Sequence, residues 1–222
     1  MSDWEADAPP VRAIAFDWGG VFTEGTFDAR AVVALADLLG FAEPTIAASY
    51  YPLMERFEVG ELDLSTFARQ LQDEVGGDGA RAVDDAVFRA AFLHAARERA
   101  AMYDVLAGIP PRYTVGMLSN NVPELCDRVR DDPRMARIER FVFSNEIAVR
   151  KPHADAFAAL TEALDVPAAQ TLFIDDNEAN VAACRELGFR GLLLDSASGF
   201  ATRWERALPD LGHLVTGPSW ER

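Results

Sequence analysis

Residues 12 to 24 read Arg-Ala-Ile-Ala-Phe-Asp-Trp-Gly-Gly-Val-Phe-Thr-Glu, and the reading of this stretch decides the fold. Ala13 to Phe16 is a short apolar run that predicts a buried strand, with Asp17 delivered at its carboxyl end. Gly19 and Gly20 follow at once. Neither has a Cβ, so the backbone can turn sharply there and approach a ligand closely. A carboxylate at a strand end beside glycine-freed amides is where open α/β sheets place their chemistry. An ordinary strand-to-loop turn with a solvated aspartate fits the same residues, and the rest of the chain has to separate the two.

Downstream the apolar spacing becomes helical. It predicts helices over 31–39, stopped by Gly40, and over 46–57, with Pro44 just ahead. A turn at 60–63 leads to a helix over 66–75 with Ser65 as N-cap. A loop at 76–79 then precedes a helix over 83–93. Residues 25–95 thus contain no convincing strand and read as a helical insertion standing over the strand end. The same helices could open an all-α domain, but the strands that follow favour the insertion.

From residue 98 helices and strands alternate. Helix 99–107 is closed by Gly108 and Pro110-Pro111. Strand 113–118 ends at Ser119-Asn120-Asn121 and passes into helix 122–129. Strand 141–144 leads to Arg150-Lys151-Pro152 and helix 154–164. Strand 171–174 ends at Asp175-Asp176-Asn177, before helix 179–187 with Gly188 as its C-cap glycine. Strand 191–194 and helix 200–208 complete the pattern. Short apolar strands separated by helices predict an α/β protein, a parallel sheet with helices on both faces. Residues 11–24 and 96–222 form its core, and 1–10 a flexible tail.

Half the residues are hydrophobic, ample for a large core. The formal net charge is −15, from 21 Lys and Arg against 36 Asp and Glu. That balance argues against nucleic acid as a partner, since phosphate contacts need clustered Lys and Arg. It also repels anionic substrates at long range, so a phosphate must be captured locally, by a metal or a buried lysine. Cys126 and Cys184 have no metal-ligand spacing and point to a reducing cytoplasm. No basic, apolar leader suggests export, and no apolar run of about 18 residues suggests a membrane partner.

Set side by side, the predicted strand ends carry Asp17, Ser119, Lys151 and the pair Asp175-Asp176. Singly they are turn residues, a surface lysine and helix-start acids. In a parallel sheet these ends share one edge, so their side chains can converge. Three carboxylates there suit a hard divalent cation such as Mg²⁺. Ser119 can hydrogen-bond a phosphoryl oxygen, and Lys151 can neutralise that oxygen and the crowded carboxylates.

In this order the residues resemble the haloacid dehalogenase superfamily along nearly the whole chain. Asp17 stands in its first motif, Ser119 in the second, Lys151-Pro152 in the third and Asp175-Asp176 in the fourth. The resemblance implies a Rossmann-like catalytic core with an α-helical cap inserted after the first motif, matching residues 25–95. It implies that Asp17 is a nucleophile forming an aspartyl-phosphate, with Ser119, Asn120 and Lys151 on the substrate phosphate. Mg²⁺ would be held by Asp17, the Gly19 carbonyl and Asp176, with Asp175 close by. The implied activity is Mg²⁺-dependent hydrolysis of a small soluble phosphate monoester. A dehalogenase, using the same nucleophile on carbon without a metal, and a non-catalytic member of the fold are the alternatives. Paired acids at 175 and 176 would repel the carboxylate substrate of a dehalogenase.

One departure from the family pattern matters. Most of its phosphatases carry a second aspartate two residues after the nucleophile, which protonates the leaving group and later activates water; here that position is Gly19. Asn180 likewise replaces a frequent acidic residue of the fourth motif. The substitutes on offer are Glu24, by proximity, and His94 in the helical block, which also reads as a helix-surface histidine. Tyr50, Tyr51, Phe57 and Phe88 either line a pocket or fill the core of the helical block, and core is the stronger reading.

Overall fold

The computed structural model describes residues 9–76, 83–93 and 97–216. Ala13–Phe16 is strand β1, with every residue buried. Among the described residues it is the central strand of a five-stranded sheet ordered β3-β2-β1-β4-β5. The others are β2 (Thr114–Ser119), β3 (Arg140–Phe143), β4 (Thr171–Asp175) and β5 (Arg190–Leu193). All pairings are parallel, and Phe16 stands level with Met117 on one side and Ile174 on the other. After β1 the chain fills the sheet outward to β3, then crosses back to lay β4 on the other side of β1. Such a switch point leaves a crevice at the carboxyl edge.

Alternation along β1 explains both layers. Ile14 and Phe16 point into one buried cluster with Val115, Met117 and Ile174. Ala13 and Ala15 point into a second cluster with Leu118, Phe157 and Phe173, as the two-residue period of a strand requires. α5 (Ala100–Gly108), α6 (Pro123–Asp131) and α10 (Ala197–Ala207) pack into the first. α8 (Ala154–Leu164) packs into the second, as does Cys184 of α9 (Glu178–Glu186). A Cβ on Gly116 of β2 would stand 2.8 Å from Leu164 Cδ2, so the absent side chain lets α8 lie close to the sheet.

Between β1 and β2 stand α1 (Phe27–Leu39), α2 (Glu43–Phe57), α3 (Leu64–Gly76) and α4 (Asp85–Leu93). Their shared interior is aromatic. Phe67 stacks on Phe57 at 5.2 Å between ring centroids and meets Phe92 at 5.8 Å and Phe88 at 6.2 Å. Tyr50, Phe57 and Phe88 are fully buried, as core residues should be, while Tyr51 is exposed.

The expected elements are present with shifted ends, mostly through caps. α1 begins at Phe27 rather than Ala31 because the Thr26 hydroxyl accepts from the Ala29 amide at 3.3 Å. Ser65 is not the cap of α3. It lies inside the helix, and the Asp63 carboxylate accepts from the Thr66 amide at 2.7 Å. Asp84 plays the same part for α4, accepting from the Ala86 amide at 2.9 Å, so Val83 precedes the helix. Strand ends move by one residue. Ser144 leaves β3 to open a one-turn helix, α7 (Ser144–Ile147), and a 3₁₀ turn (Pro209–Val215) follows α10. Gly40 ends α1 at φ 77°, as expected. Residues 1–8 of the expected tail and 77–79 of the expected loop lie outside the described residues. No helix among the described residues is long and apolar enough to cross a membrane.

Phe67 is fully enclosed by Tyr50, Phe57, Phe88 and Phe92. Phe67→Ala should lower unfolding free energy by about 3–5 kcal/mol in denaturant titration, the usual cost of emptying an aromatic core position.

Candidate active site

The Asp17 amide still bonds to the Ile174 carbonyl at 2.8 Å, so the carboxylate starts from a fixed point at the sheet edge. The chain then turns tightly, the Phe22 amide donating to the Trp18 carbonyl at 2.8 Å. Gly20 makes this turn at φ +70°, and a Cβ there would lie 1.9 Å from Asp176 Oδ2. Asp176 therefore packs directly on the Gly20 backbone. The Gly20 amide is held by the Thr23 hydroxyl at 2.8 Å and its carbonyl by Arg99 Nη2 at 3.2 Å. Gly19 differs: its φ lies outside the left-handed region, and a Cβ built on it meets nothing within 4 Å.

Entry to and exit from the helical block run side by side. Thr23 and Glu98 form an antiparallel bridge. The Glu24 amide bonds to the Arg97 carbonyl at 2.7 Å and the Arg99 amide to the Phe22 carbonyl at 2.8 Å. The loop carrying Asp17 is thereby fixed between the sheet and both passages.

Lys151 joins two strand ends, those of β1 and β4; it does not stand at a strand end itself, because α7 separates it from β3. Its Nζ lies 2.9 Å from Asp17 Oδ1 and 2.6 Å from Asp175 Oδ2, with almost no solvent exposure. Asp175 Oδ2 also accepts from Asn180 Nδ2 at 3.0 Å, and its Oδ1 from the Asn177 amide at 2.8 Å. Asn180, an acidic position in many relatives by resemblance, is here a neutral donor to a carboxylate that a second acid would repel. Asn177 caps α9, its Oδ1 accepting from Ala179 and Asn180 amides. Oxygens of Asp17, Asp175 and Asp176 all lie within 4.8 Å of one another.

Charge crowding in a dry place moves these groups off their ordinary values. Burial raises the pKa of Asp17, with Lys151 opposing and the other two aspartates adding to the rise. Burial and then Asp175 push Asp176 up to about 6. Burial works against the charge of Lys151, but Asp17 and Asp175 outweigh it and hold its pKa above the usual lysine value.

Asp17, Gly19, Asn120, Lys151 and Asp176 line one cleft at the carboxyl edge. Asp175 stands buried beside it. Ser119 is buried at the end of β2, its hydroxyl 3.5 Å from the Asn120 carbonyl, and is not among the described lining residues. The Asn120 side chain is occupied at both ends by the backbone of Lys151, donating to its carbonyl at 3.0 Å and accepting from its amide at 2.8 Å. It ties the third motif to the second.

The structure adds residues that the sequence did not single out. Asn121 lines the cleft, and its buried Nδ2 has no hydrogen-bond partner. The doubled asparagine after Ser119 was its one visible sign. Arg150 lines the cleft beside Lys151. Asp28 and Glu58 reach it from the helical block, which no motif marks. Trp18, Phe27 and Met54 give it an apolar wall. Glu24 is exposed, paired with Arg97 at 3.7 Å and Arg30 at 4.0 Å, and is not among the described lining residues. His94 lies outside the described residues.

A family model for haloacid dehalogenase-like hydrolases matches residues 11–188. A D-ribitol-5-phosphate phosphatase of Bacteroides thetaiotaomicron is 25% identical over 189 residues, 81% of this chain and 89% of that protein. A predicted HAD-like family hydrolase from Porphyromonas gingivalis superposes with a TM-score of 0.70 at 24% identity, over 95% of this chain and all of that one. A HAD family enzyme of B. thetaiotaomicron, solved as the wild-type protein with magnesium and inorganic phosphate, gives a TM-score of 0.69 at 22% identity. That superposition covers 82% of this chain and 93% of the other. At these identities the two structures speak for the shared fold.

The adjacent glycines should respond differently to substitution. Gly20→Ala places a Cβ in the left-handed region, at about 1–2 kcal/mol, and collides with Asp176, so denaturant unfolding should show at least that loss. Gly19→Ala should leave stability unchanged or raise it by up to about 1 kcal/mol. The reverse ranking would mean that the loop takes another course.

Proposed function

The chain belongs to the haloacid dehalogenase-like hydrolases, and from that premise we propose that it is a Mg²⁺-dependent phosphomonoesterase working through an aspartyl-phosphate on Asp17. The carrying observation is a charge imbalance. Three carboxylates crowd within 4.8 Å while one ammonium bridges two of them, so two negative charges are left over, the complement of a divalent cation. Carboxylate and carbonyl oxygens are the donors such a hard ion prefers. Asp17, the Gly19 carbonyl and Asp176 would hold it. Asp175, already engaged by Lys151, Asn180 and the Asn177 amide, would support it from behind. Bound there, Mg²⁺ would supply Lewis-acid charge to the phosphoryl oxygens.

The remaining steps belong to this chain's own groups. A carboxylate oxygen of Asp17 attacks phosphorus, and the bond from phosphorus to the leaving oxygen breaks. Lys151, 2.9 Å from Asp17 Oδ1, favours the ionised nucleophile against the pull of burial and offsets charge on the transferred group. The unpartnered Asn121 Nδ2 is a further donor for that group, and Ser119 reaches it only with a change in its rotamer or in the loop. Asn120 keeps Lys151 in place. Water then attacks the phosphorus of the acyl phosphate, releasing phosphate and restoring Asp17.

Residues 25–95 act in this reading as a cap over the site, excluding water from the intermediate and favouring small soluble esters. Phe27, Asp28, Met54 and Glu58 lining the cleft from that block support it, as does a relative named for a phosphorylated polyol. Dehalogenation of a halocarboxylate fits less well, because the uncompensated aspartates would repel its carboxylate.

Hydrolysis of p-nitrophenyl phosphate tests the proposal. Asp17→Asn keeps the side-chain shape and should lower turnover by at least about 10³-fold with the circular dichroism unchanged. Chelator should abolish activity and Mg²⁺ restore it, while Asp176→Ala should raise the Mg²⁺ requirement at least about tenfold. Asp17 and Asp176 must both lose their protons to bind a metal. With pKa values of about 7 and about 6, apparent Mg²⁺ affinity should hold above about pH 7, fall about tenfold per pH unit between about 7 and 6, and fall more steeply below that. Undiminished turnover in chelator would sink the metal-dependent mechanism.

A further inference from the structure

Gly19 leaves the leaving group without the aspartate that family resemblance puts there, yet the cleft holds a carboxyl group from elsewhere. Glu58 caps the C-terminus of α2 and lines the cleft with Asp17 and Lys151. It is 6% exposed, unusual for a glutamate without a tight partner. Its Oε2 lies 3.1 Å from Arg150 Nε, but neither atom makes a hydrogen bond of proper geometry.

Its position is fixed by the core rather than by the helical block alone. The Ser144 hydroxyl donates to the Glu58 carbonyl at 2.5 Å and accepts from the Asn121 amide at 2.9 Å. Two residues on, Gly60 turns at φ +79°, where a Cβ would stand 3.0 Å from the Asn145 carbonyl. This turn therefore sits directly on α7. The backbone that carries the carboxyl group is thus fixed to the sheet edge, which leaves the side chain buried in the cleft and free of a hydrogen bond that would tie up its Oε2.

We propose, resting on the phosphatase reading, that Glu58 is the general acid and base of the reaction, taking the place of the carboxylate missing at Gly19. As Asp17 bonds to phosphorus, the breaking P–O bond leaves its electron pair on the ester oxygen, and the Glu58 carboxyl transfers its proton there, releasing an alcohol. Glu58, now a carboxylate, takes a proton from the water that attacks the acyl phosphate. Inorganic phosphate leaves, Asp17 is restored, and Glu58 is protonated for the next turnover.

The surroundings suit a group that starts protonated. Burial, before any charge, pushes Glu58 up to about 8; Arg150 and Lys151 pull down, while Asp28 and Asp17 push up. Arg150 is shared with Glu55 at 3.1 Å, which dilutes its pull. Asp28 is the rival in the same cleft. Its Oδ1 already accepts from the Tyr50 hydroxyl at 2.8 Å, and beyond burial its pKa responds to that hydrogen bond and to Arg150 rather than to Asp17 or Lys151. Glu58 feels both members of the catalytic pair.

Glu58→Gln, compared with wild type on an alkyl and an aryl phosphate at saturating Mg²⁺, tests the assignment. An alkoxide needs a proton to depart, whereas p-nitrophenolate does not. The variant should lose about 10²- to 10⁴-fold in kcat/KM on the alkyl ester and change less than about threefold on the aryl ester, whose retained kcat/KM also reports an intact fold. With water activation impaired, the aryl reaction should show a burst of one p-nitrophenolate per site before a slowed steady state. In wild type, kcat/KM for the alkyl ester should fall as pH rises through about 8, a limb absent with the aryl ester. Equal loss on both esters, or loss on neither, together with a wild-type alkyl profile that lacks this limb, would overturn the role of Glu58 while leaving the phosphatase reading intact. A wild type inert on both esters with Mg²⁺ would overturn the phosphatase reading itself, and this inference with it.

Discussion

The structure turns on one buried ammonium. Lys151 sits between Asp17 and Asp175 at 2.9 and 2.6 Å, and these come from the loop after β3 and the ends of β1 and β4. Removing a charge from water costs several kcal/mol even after relaxation, so each of the three groups is tolerable only because the others are present. Asn120, Asn177 and Asn180 complete the arrangement, holding the Lys151 backbone and the remaining lone pairs of Asp175. None of these neighbours carries a charge, so the imbalance is left at the open side, where Asp17 and Asp176 face the cleft. On the proposed reading, the same crowding that destabilises the unliganded site suits it to a divalent cation.

That constraint also explains the glycines. Asp176 can reach the cluster only by lying on the Gly20 backbone, which a Cβ would forbid. The loop is then locked by Thr23, by Arg99 and by the paired passages at 22–24 and 97–99. Those passages are the covalent links to the helical block, so any movement of that block must pivot on residues that also position the Asp17 loop. Glu58 has a second tie, through Ser144 to Asn121. The Glu58 side of the cleft is thus referenced to the sheet edge from two directions.

The sheet and most of the charge cluster were legible because the aspartates and Ser119 follow apolar runs too short to be helices, and a parallel sheet puts such ends on one edge; Lys151, beyond α7, has no such sign. Phe16 before Asp17 and Ile174 before Asp175 pair in register, so order in the sequence became proximity. Helix starts were less legible. Thr26 lies ahead of the apolar run that marks α1, and Ser65 offers a rival cap to Asp63, although it is Thr26 and Asp63 that each bond an amide of the first turn. Ser119 and Asn120 show the limit of motif reading: both stand at the carboxyl end of β2, but the Asn120 side chain is taken up by the Lys151 backbone and the Ser119 hydroxyl faces the Asn120 carbonyl, which no spacing encodes. Glu58 had no signal at all. Its burial follows from the turn at Gly60 docking on α7, a long-range contact, and on sequence alone it is one acid among 36.

The overall charge of −15 looks hostile to a phosphate ester, but range decides its effect. At physiological ionic strength the field of surface charge decays over about 8 Å, so distant carboxylates cost encounter rate more than affinity. Inside the cleft the balance is set by neighbours: Lys151 and Arg150 line it, and Arg99 acts on Asp176. Lys151 sits toward the sheet edge, where a transferred phosphoryl group would lie, whereas Asp28 and Glu58 enter from the helical side, with Arg150 paired to Glu58 at 3.1 Å. A substrate reading that polarity would place its anionic end on the sheet edge and a neutral, hydroxyl-bearing end under the helices. A second anionic group at that end would have to compete with Glu58 for Arg150. On the proposed reading, the cleft therefore suits a substrate whose far end is neutral, a preference that would come from the helical block rather than from the four motifs.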